Sequence, residues 1–208
     1  MTRIMVAAVL AASTTFVHAQ SEDKVFMFVR DGSRDLPLML EQEVGVMKQK
    51  LEAAGYTVDI ATASGEPLGE GDAKIVPTVE LHDVDVASYR GVALPCMAPA
   101  EGHPLPEEVT RIVRDAVAAE KPIAAARGSV VAVAKAEGLV GKSYAFAAKV
   151  DSTKRTEFQG GEFVGTGVVR DGNVNTSGIC PLAAKSTGLP DGTVALTDNF
   201  IATLNEAQ

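Results

Sequence analysis

Blocks of apolar residues, separated by turn residues, predict an alternation of strands and helices along this chain. The apolar run in residues 24–32 closes with Asp-Gly, which is typical of a buried strand that ends in a turn. A helix is predicted next, because apolar residues recur every three to four positions and stop at Gly55. These residues are Leu40, Val44, Met47 and Leu51. With a second strand at 56–62, the three blocks form the strand–helix–strand unit of parallel sheets.

The same order of strand and helix returns in the middle of the chain. Residues 91–98 and 123–126 are predicted to be buried strands, and an amphipathic helix with Pro106 in its first turn lies between them. Residues 74–86 alternate between apolar and polar, which favours a short edge strand despite Pro77. The repeated order predicts an α/β three-layer sandwich, with helices on both faces of a central, mostly parallel sheet.

Short strands replace this order after Gly141. The RDGN sequence at 170–173 predicts a hairpin between two of them, since Asp-Gly suits the tight turns that join antiparallel strands. The pattern of residues 191–207 predicts a C-terminal helix.

Length and composition fit one folded domain. The chain has 208 residues, of which 46% are hydrophobic and 22% charged, and this is enough for one sizeable core in residues 20–208. The formal net charge is -8, whereas nucleic-acid binding needs a clustered basic surface. We therefore expect no nucleic-acid partner.

Residues 1–19 have the features of a secretory signal peptide. Arg3 precedes an apolar stretch at 4–12, and Val17 and Ala19 form a small-residue cleavage pattern. No later stretch reaches the roughly 18 apolar residues of a membrane span. We expect export to the periplasm or out of the cell, with no membrane span in the mature chain.

Residues suited to chemistry follow the predicted strands, at the edge where open α/β sheets bind their ligands. They are Asp31, Ser33, Arg34, Cys96, His103, Arg127, Gly128, Ser129 and Cys180. Either Glu41 or Glu43 of the first helix reaches the same crevice, and the spacing leaves both open. His82 is interpreted as a surface residue without a function.

Four ordered segments resemble the ThiJ/PfpI family, which has the class I glutamine amidotransferase-like, flavodoxin-like fold. They read VALPCMA at 92–98, KPIAA at 121–125, GLVGK at 138–142 and VVRDGNVNTSG at 168–178. The resemblance covers about residues 24–204 and implies the same α/β architecture. Relatives commonly form homodimers, so the resemblance also implies a homodimer.

The resemblance implies positions for the family's site as well. The family's cysteine, on a sharp nucleophile elbow, aligns with Arg127, and the glutamate that supports this cysteine aligns with Glu43. The family's glycine-rich loop aligns with 94–97, and its later TSRGPG-like segment aligns with 176–181. A guanidinium stays protonated and only donates hydrogen bonds, so the cysteine chemistry of the family does not carry over to Arg127.

Arg127 has two interpretations. In the first, its charge binds a small polar or anionic ligand, and the chain is an exported, catalytically degenerate member of the family. In the second, a salt bridge between Arg127 and Glu43 fills the pocket of a structural or partner-binding domain. Ser129 is interpreted as a helix cap and not as a nucleophile. The predicted ligand-binding residues are Glu43, Cys96, Arg127, Gly128, Ser129 and Cys180.

The two cysteines leave further alternatives open. Cys96 and Cys180 either form a disulfide, which would stabilise the fold by roughly 4–5 kcal/mol through chain entropy, or stay inert. Alternatively the chain is an enzyme that uses Cys96 with His103 as its base, Cys180, or Glu43. By resemblance its substrates would be reactive carbonyls such as glyoxals, as for a glyoxalase or deglycase, or amide bonds, as for a peptidase or amidase. The spacing lacks a zinc signature, so neither a metal nor another cofactor is predicted.

Overall fold

A sheet of six strands organises the protein. The structure is a computed structural model that describes residues 23–96, 105–147 and 152–207. Along the chain the strands are β1 (Lys24–Val29), β2 (Thr57–Thr62), β3 (Gly91–Leu94), β4 (Ile123–Ala126), β5 (Ser143–Ala145), β6 (Glu162–Gly165), β7 (Val168–Asp171) and β8 (Val174–Ser177). The order in the sheet is β2-β1-β3-β4-β8-β7, while β5 and β6 pair separately. Only β7 runs antiparallel to its neighbour in this sheet, so the predicted mostly parallel sheet is confirmed.

Helices cover both faces of this sheet, as the strand–helix order predicts. They are α1 (Leu36–Met39), α2 (Gly45–Ala53), α3 (Glu107–Ala118), α4 (Val130–Lys135), α5 (Pro181–Thr187) and α6 (Thr193–Glu206). Between α1 and α2 the chain makes a π-helical turn, Leu40–Val44. The three-layer α/β architecture is therefore confirmed.

Alternation along the strands divides the core into two layers. In β1, Phe26 and Phe28 face one side, where they join the apolar residues of α3 and α4. Val25 and Met27 face the other side and join those of α2, α5 and α6. Because successive side chains of a strand point to opposite faces, one apolar run supplies both layers.

The predicted edge strand at 74–86 is wrong. An isolated bridge between Leu68 and Ile75 is the extended pairing that the structure gives here, and the segment continues as short 3₁₀ turns. Pro77 has no N–H to offer to a ladder. The next residue, Thr78, contacts β2 in another way: its N–H donates to Ile60 O at 2.8 Å, and its hydroxyl oxygen accepts from Ile60 N at 2.9 Å.

The later elements agree with the sequence pattern. β7 and β8 form the predicted hairpin, with Gly172 at a φ of 58° in its turn, and α6 is the predicted C-terminal helix. Among the helices of the described residues, none is long and apolar enough to cross a membrane. The predicted signal peptide at 1–19 and His103 lie outside the described residues.

Candidate active site

The carboxyl ends of three neighbouring parallel strands bring Cys96, Arg127 and Cys180 together. Cys96 follows β3, Arg127 follows β4 at once, and Cys180 lies three residues beyond β8. Because these strands are parallel, their carboxyl ends share one edge of the sheet. Open α/β sheets bind their ligands at this edge.

A sharp turn joins β4 to α4 at Arg127. The residue has a φ of 39°, in the left-handed region that a side chain with a Cβ rarely adopts. The turn continues as a 3₁₀ segment, Arg127–Ser129, and leads into α4. A sharp elbow of the kind that the family resemblance implies is therefore present at Arg127.

Ser129 stabilises this elbow in a different way from the one predicted. It occupies the N-cap position of α4 but makes no side-chain cap bond. Its hydroxyl instead donates to Pro95 O at 2.6 Å. This hydrogen bond connects the elbow to the loop after β3, so the Ser129 hydroxyl does not cap α4.

The π-helical turn places Glu43, and not Glu41, at the site. Glu43 is 0% exposed, and its Oε1 accepts a hydrogen bond from Cys96 N at 3.0 Å, whereas Glu41 is exposed. A π turn adds a residue to a helical turn and so shifts which side chains face the core. The salt bridge between Glu43 and Arg127 stays a prediction.

Cys96 and Cys180 are free thiols in side-chain contact. Both are buried, at 3% and 0% exposure, and the disulfide is not formed in this structure. The hydrogen bond from Cys96 to the Cys180 sulfur raises the pKa of Cys96 well above its usual value, and burial and the nearby Glu43 carboxylate raise it further. The N–H of Gly128 points at the Cys96 sulfur and opposes this rise in pKa only in part.

Cys180 has the opposite tendency. The hydrogen bond that it accepts from Cys96 is the main reason that its pKa falls to about 6. The N–H of Ala183 and the charge and hydrogen bond of Arg127 also lower this pKa, while burial opposes them. These contacts favour the shared proton on Cys96 and the negative charge on Cys180.

A glycine lets the chain after β8 turn into this site. Gly178 donates its N–H to Thr166 O at 3.2 Å and to Gly167 O at 3.1 Å. A Cβ on Gly178 would lie 2.3 Å from Phe146 O, closer than real contacts allow. The close approach of these backbones fixes the path that leads to Cys180.

An open cleft of about 740 Å³ is lined by Arg127 and by residues on both sides of Cys180, such as Ile179 and Ala183. Two arginines, Arg34 and Arg127, contribute to its lining, and the remaining described lining residues are uncharged. These are Ala147, Gly178, Ile179, Leu182, Ala183, Ser186, Thr187 and Leu189. The cleft thus combines positive charge with an apolar surface.

Arg30 is a contributor that the sequence reasoning did not identify. It follows β1 directly, its charge interacts with Cys96, and its pKa is lowered by burial. The position of Arg30 at the end of a strand was the signal that could have identified it. The next residue, Asp31, was predicted for the site from its place after the same strand, but it accepts a hydrogen bond from Ala63 N at 3.0 Å on the surface. In the part of the chain that the structure describes, no three His, Cys, Asp or Glu side chains form a group that could hold a metal.

The chain belongs to the DJ-1/PfpI family, whose pattern residues 23–183 match. Solved structures agree on the fold. A ThiJ/PfpI domain protein from Brachyspira murdochii is similar with a TM-score of 0.63 at 14% identity, over 89% of this chain and 98% of that chain. DJ-1beta from Drosophila melanogaster is similar with a TM-score of 0.58 at 20% identity, over 89% and 95% of the two chains.

A protein described as a putative transcriptional regulator, from Vibrio parahaemolyticus, is similar as well. Its TM-score is 0.61 at 16% identity, over 89% of this chain and 99% of that chain. No curated protein matches the sequence. At these identities the similarity extends to the fold, so the chemistry of the site rests on the residues of this chain.

Proposed function

We propose that this protein is an exported member of the DJ-1/PfpI family that is degenerate at the family's catalytic cysteine position, where it has Arg127, and that it binds a small anionic ligand there. The observation that carries the proposal is the charge of the cleft. Arg34 and Arg127 line it, and its described lining residues include no carboxylate. An arginine offers several N–H donors in one plane, which suits carboxylates and phosphates.

The size and surface of the cleft restrict the ligand. Its volume of about 740 Å³ lies within the range of small-molecule sites. Ser186 and Thr187 donate their hydroxyl hydrogens to Ala183 O, at 3.0 and 2.7 Å, so these hydroxyls are already used as donors. Ile179 and Leu182 add apolar lining. We therefore expect an organic anion with a short apolar part.

A calorimetric titration with a short alkyl carboxylate and a short alkyl sulfonate tests this proposal. Replacing Arg127 by Gln removes a charge-assisted hydrogen bond worth about 1.5–3 kcal/mol, so affinity should fall by about 10- to 100-fold. Arg114→Gln is the matched control, because Arg114 is an exposed residue of α3, on the opposite face of the sheet. Equal affinity of the wild type and the Arg127→Gln variant would contradict the proposal.

A second candidate function is a thiol-dependent enzyme with Cys180 as the nucleophile. The lowered pKa of Cys180 supports it, since a thiolate and not a thiol attacks carbon. Glu43, as the carboxylate alternative, is supported less well, because it is buried and accepts from Cys96 N. Turnover of a glyoxal or a peptide that is lost in Cys180→Ser would favour this candidate, and absence of turnover in the wild type would reject it.

Export and assembly are parts of the same proposal. Cleavage after Ala19 would leave Gln20 as the first residue, which the intact mass of the secreted protein would show directly. A homodimer is proposed from family membership, and light scattering of the purified protein distinguishes it from a monomer.

A further inference from the structure

The two cysteines of the chain, Cys96 and Cys180, follow two strands that are not adjacent, and their side chains meet beyond the end of the strand between them. Cys96 follows β3 and Cys180 comes after β8, while β4 occupies the position between these strands. Their side chains are nevertheless hydrogen-bonded to each other, beside the Arg127 elbow at the end of β4. A disulfide requires its two cysteine side chains to meet, and those of Cys96 and Cys180 already do so.

The surroundings of the two sulfurs are unequal. Arg127 and the Ala183 amide direct positive charge and a donor at Cys180. Cys96 instead lies near the carboxylate of Glu43, and this carboxylate accepts a hydrogen bond from the Cys96 backbone N–H. Negative charge is therefore favoured on Cys180, and the proton is favoured on Cys96. Cys180 is therefore suited to be the first nucleophile, and Cys96 is suited to react after it.

We propose that this pair reduces a small hydroperoxide, with Cys180 as the attacking thiolate and Cys96 as the thiol that then closes a disulfide. In the first step the Cys180 sulfur attacks the terminal oxygen of the hydroperoxide. A sulfur–oxygen bond forms and the oxygen–oxygen bond breaks. The alkoxide or hydroxide that leaves takes up a proton from water, and Cys180 becomes a sulfenic acid.

In the second step Cys96 attacks the sulfur of the Cys180 sulfenic acid. The sulfur–sulfur bond forms, the sulfur–oxygen bond breaks, and the hydroxyl leaves as water with the proton of Cys96. Two thiols are oxidised and one hydroperoxide is reduced to an alcohol or water. An external dithiol returns the pair to the reduced state by exchange.

Access from the cleft favours small oxidants. Cys180 is fully buried, but Ile179, Ala183 and Arg127 beside it all line the cleft. Arg127 contacts the sulfur and also lines the cleft, so it connects the cleft with Cys180. We expect hydrogen peroxide to react faster than a bulky aromatic hydroperoxide, because the sulfur lies behind these side chains.

The test titrates the fully reduced protein with hydrogen peroxide and follows it by intact and peptide mass spectrometry. The expected product is an intramolecular Cys96–Cys180 disulfide, with one peroxide consumed for each pair of thiols and no oxygen retained. Oxidation of the wild type to a stable oxygen adduct without a disulfide would overturn the proposal. This readout needs no variant, so it does not depend on whether a substitution folds.

Two variants assign the roles within the pair. Cys96→Ser should retain the Cys180 sulfenic acid, which a cyclic 1,3-diketone traps as an adduct. Cys180→Ser should consume peroxide about tenfold more slowly than the wild type, because burial and the Glu43 carboxylate still raise the pKa of the remaining Cys96. Equal rates in Cys180→Ser and the wild type would overturn the assignment. Anion binding is measured separately, so failure of this activity leaves the proposed function standing.

Discussion

Arg127 has a backbone conformation that its own side chain makes unfavourable. Its φ of 39° is a left-handed value, and such a conformation in a residue with a Cβ costs of order 1–3 kcal/mol. β4 and α4 hold the chain on both sides, and the guanidinium contacts the Cys180 sulfur. The guanidinium of Arg127 therefore lies at the sheet edge, although glycine would adopt this backbone conformation with less strain.

Two truncations of Arg127 separate the backbone from the side chain. Arg127→Gly and Arg127→Ala both remove the guanidinium, but only glycine adopts a left-handed φ without strain. We expect the glycine variant to have a free energy of unfolding about 1 kcal/mol higher than the alanine variant. Chemical denaturation of both variants measures this difference. A more stable alanine variant would mean that the elbow is not left-handed in solution.

At the scale of elements, irregular segments determine which residues reach the site. The π-helical turn Leu40–Val44 directs Glu43 inward, and the turn at Gly178 brings Cys180 back to the sheet edge. Neither is a regular element, yet each positions a group that β3, β4 and β8 alone would not place. The regular strands supply the common edge, and these two segments bring the side chains to it.

The turn after β8 should tolerate no side chain at Gly178. A Cβ there would meet Phe146 O at 2.3 Å and Thr166 O at 2.6 Å, both backbone atoms that cannot rotate away. We expect Gly178→Ala to lower the free energy of unfolding by about 1–3 kcal/mol.

Gly167→Ala is the matched control, since a Cβ on Gly167 has nothing within 4 Å. Its effect should stay within about 0.5 kcal/mol in the same denaturation experiment. Equal effects of the two substitutions would show that the clash at Gly178 is relieved in solution.

Periodicity predicts the regular elements but not the irregular ones. The helix α3 and the hairpin of β7 and β8 were predictable because amphipathic spacing and an Asp-Gly turn are local signals. The segment around Pro77 was not, because it contacts β2 through the backbone N–H and the hydroxyl of Thr78 and not through a ladder.

The site shows the same division between local and long-range information. Strand ends and family resemblance predicted that Arg127 and both cysteines approach one crevice. The asymmetry of the two thiols was not predictable, because the groups that cause it come from separate parts of the chain. Arg127 and Ala183 donate to the Cys180 sulfur, and the charge of Glu43 acts on Cys96.

At the scale of the whole molecule, the proposed anion would be linked to the charges on Arg127 and Cys180. The net charge of the chain is -8, so the positive lining of the cleft is local. A thiolate on Cys180 and the proposed anion in the cleft would compete for the same guanidinium. Two groups that compete in this way shift each other's equilibria reciprocally.

The sign of this linkage follows from the charges. Cys180 has a pKa lowered to about 6, so it is a thiolate above that pH and a neutral thiol below it. A bound anion near Arg127 disfavours the thiolate and should raise this pKa. Conversely, the affinity for an anion should increase as the pH falls through about 6.

The proposed anion site at Arg127 is tested most directly by an ultraviolet titration of the Cys180 thiolate with and without a saturating alkyl sulfonate. A sulfonate keeps its charge throughout the titration, and chloride at equal ionic strength serves as the control. We predict a midpoint near pH 6 that moves upward when the sulfonate binds, and no sulfonate-dependent movement in Arg127→Gln. If the sulfonate leaves the wild-type midpoint unchanged, or shifts the midpoint of Arg127→Gln equally, the claim that Arg127 is the anion site is contradicted.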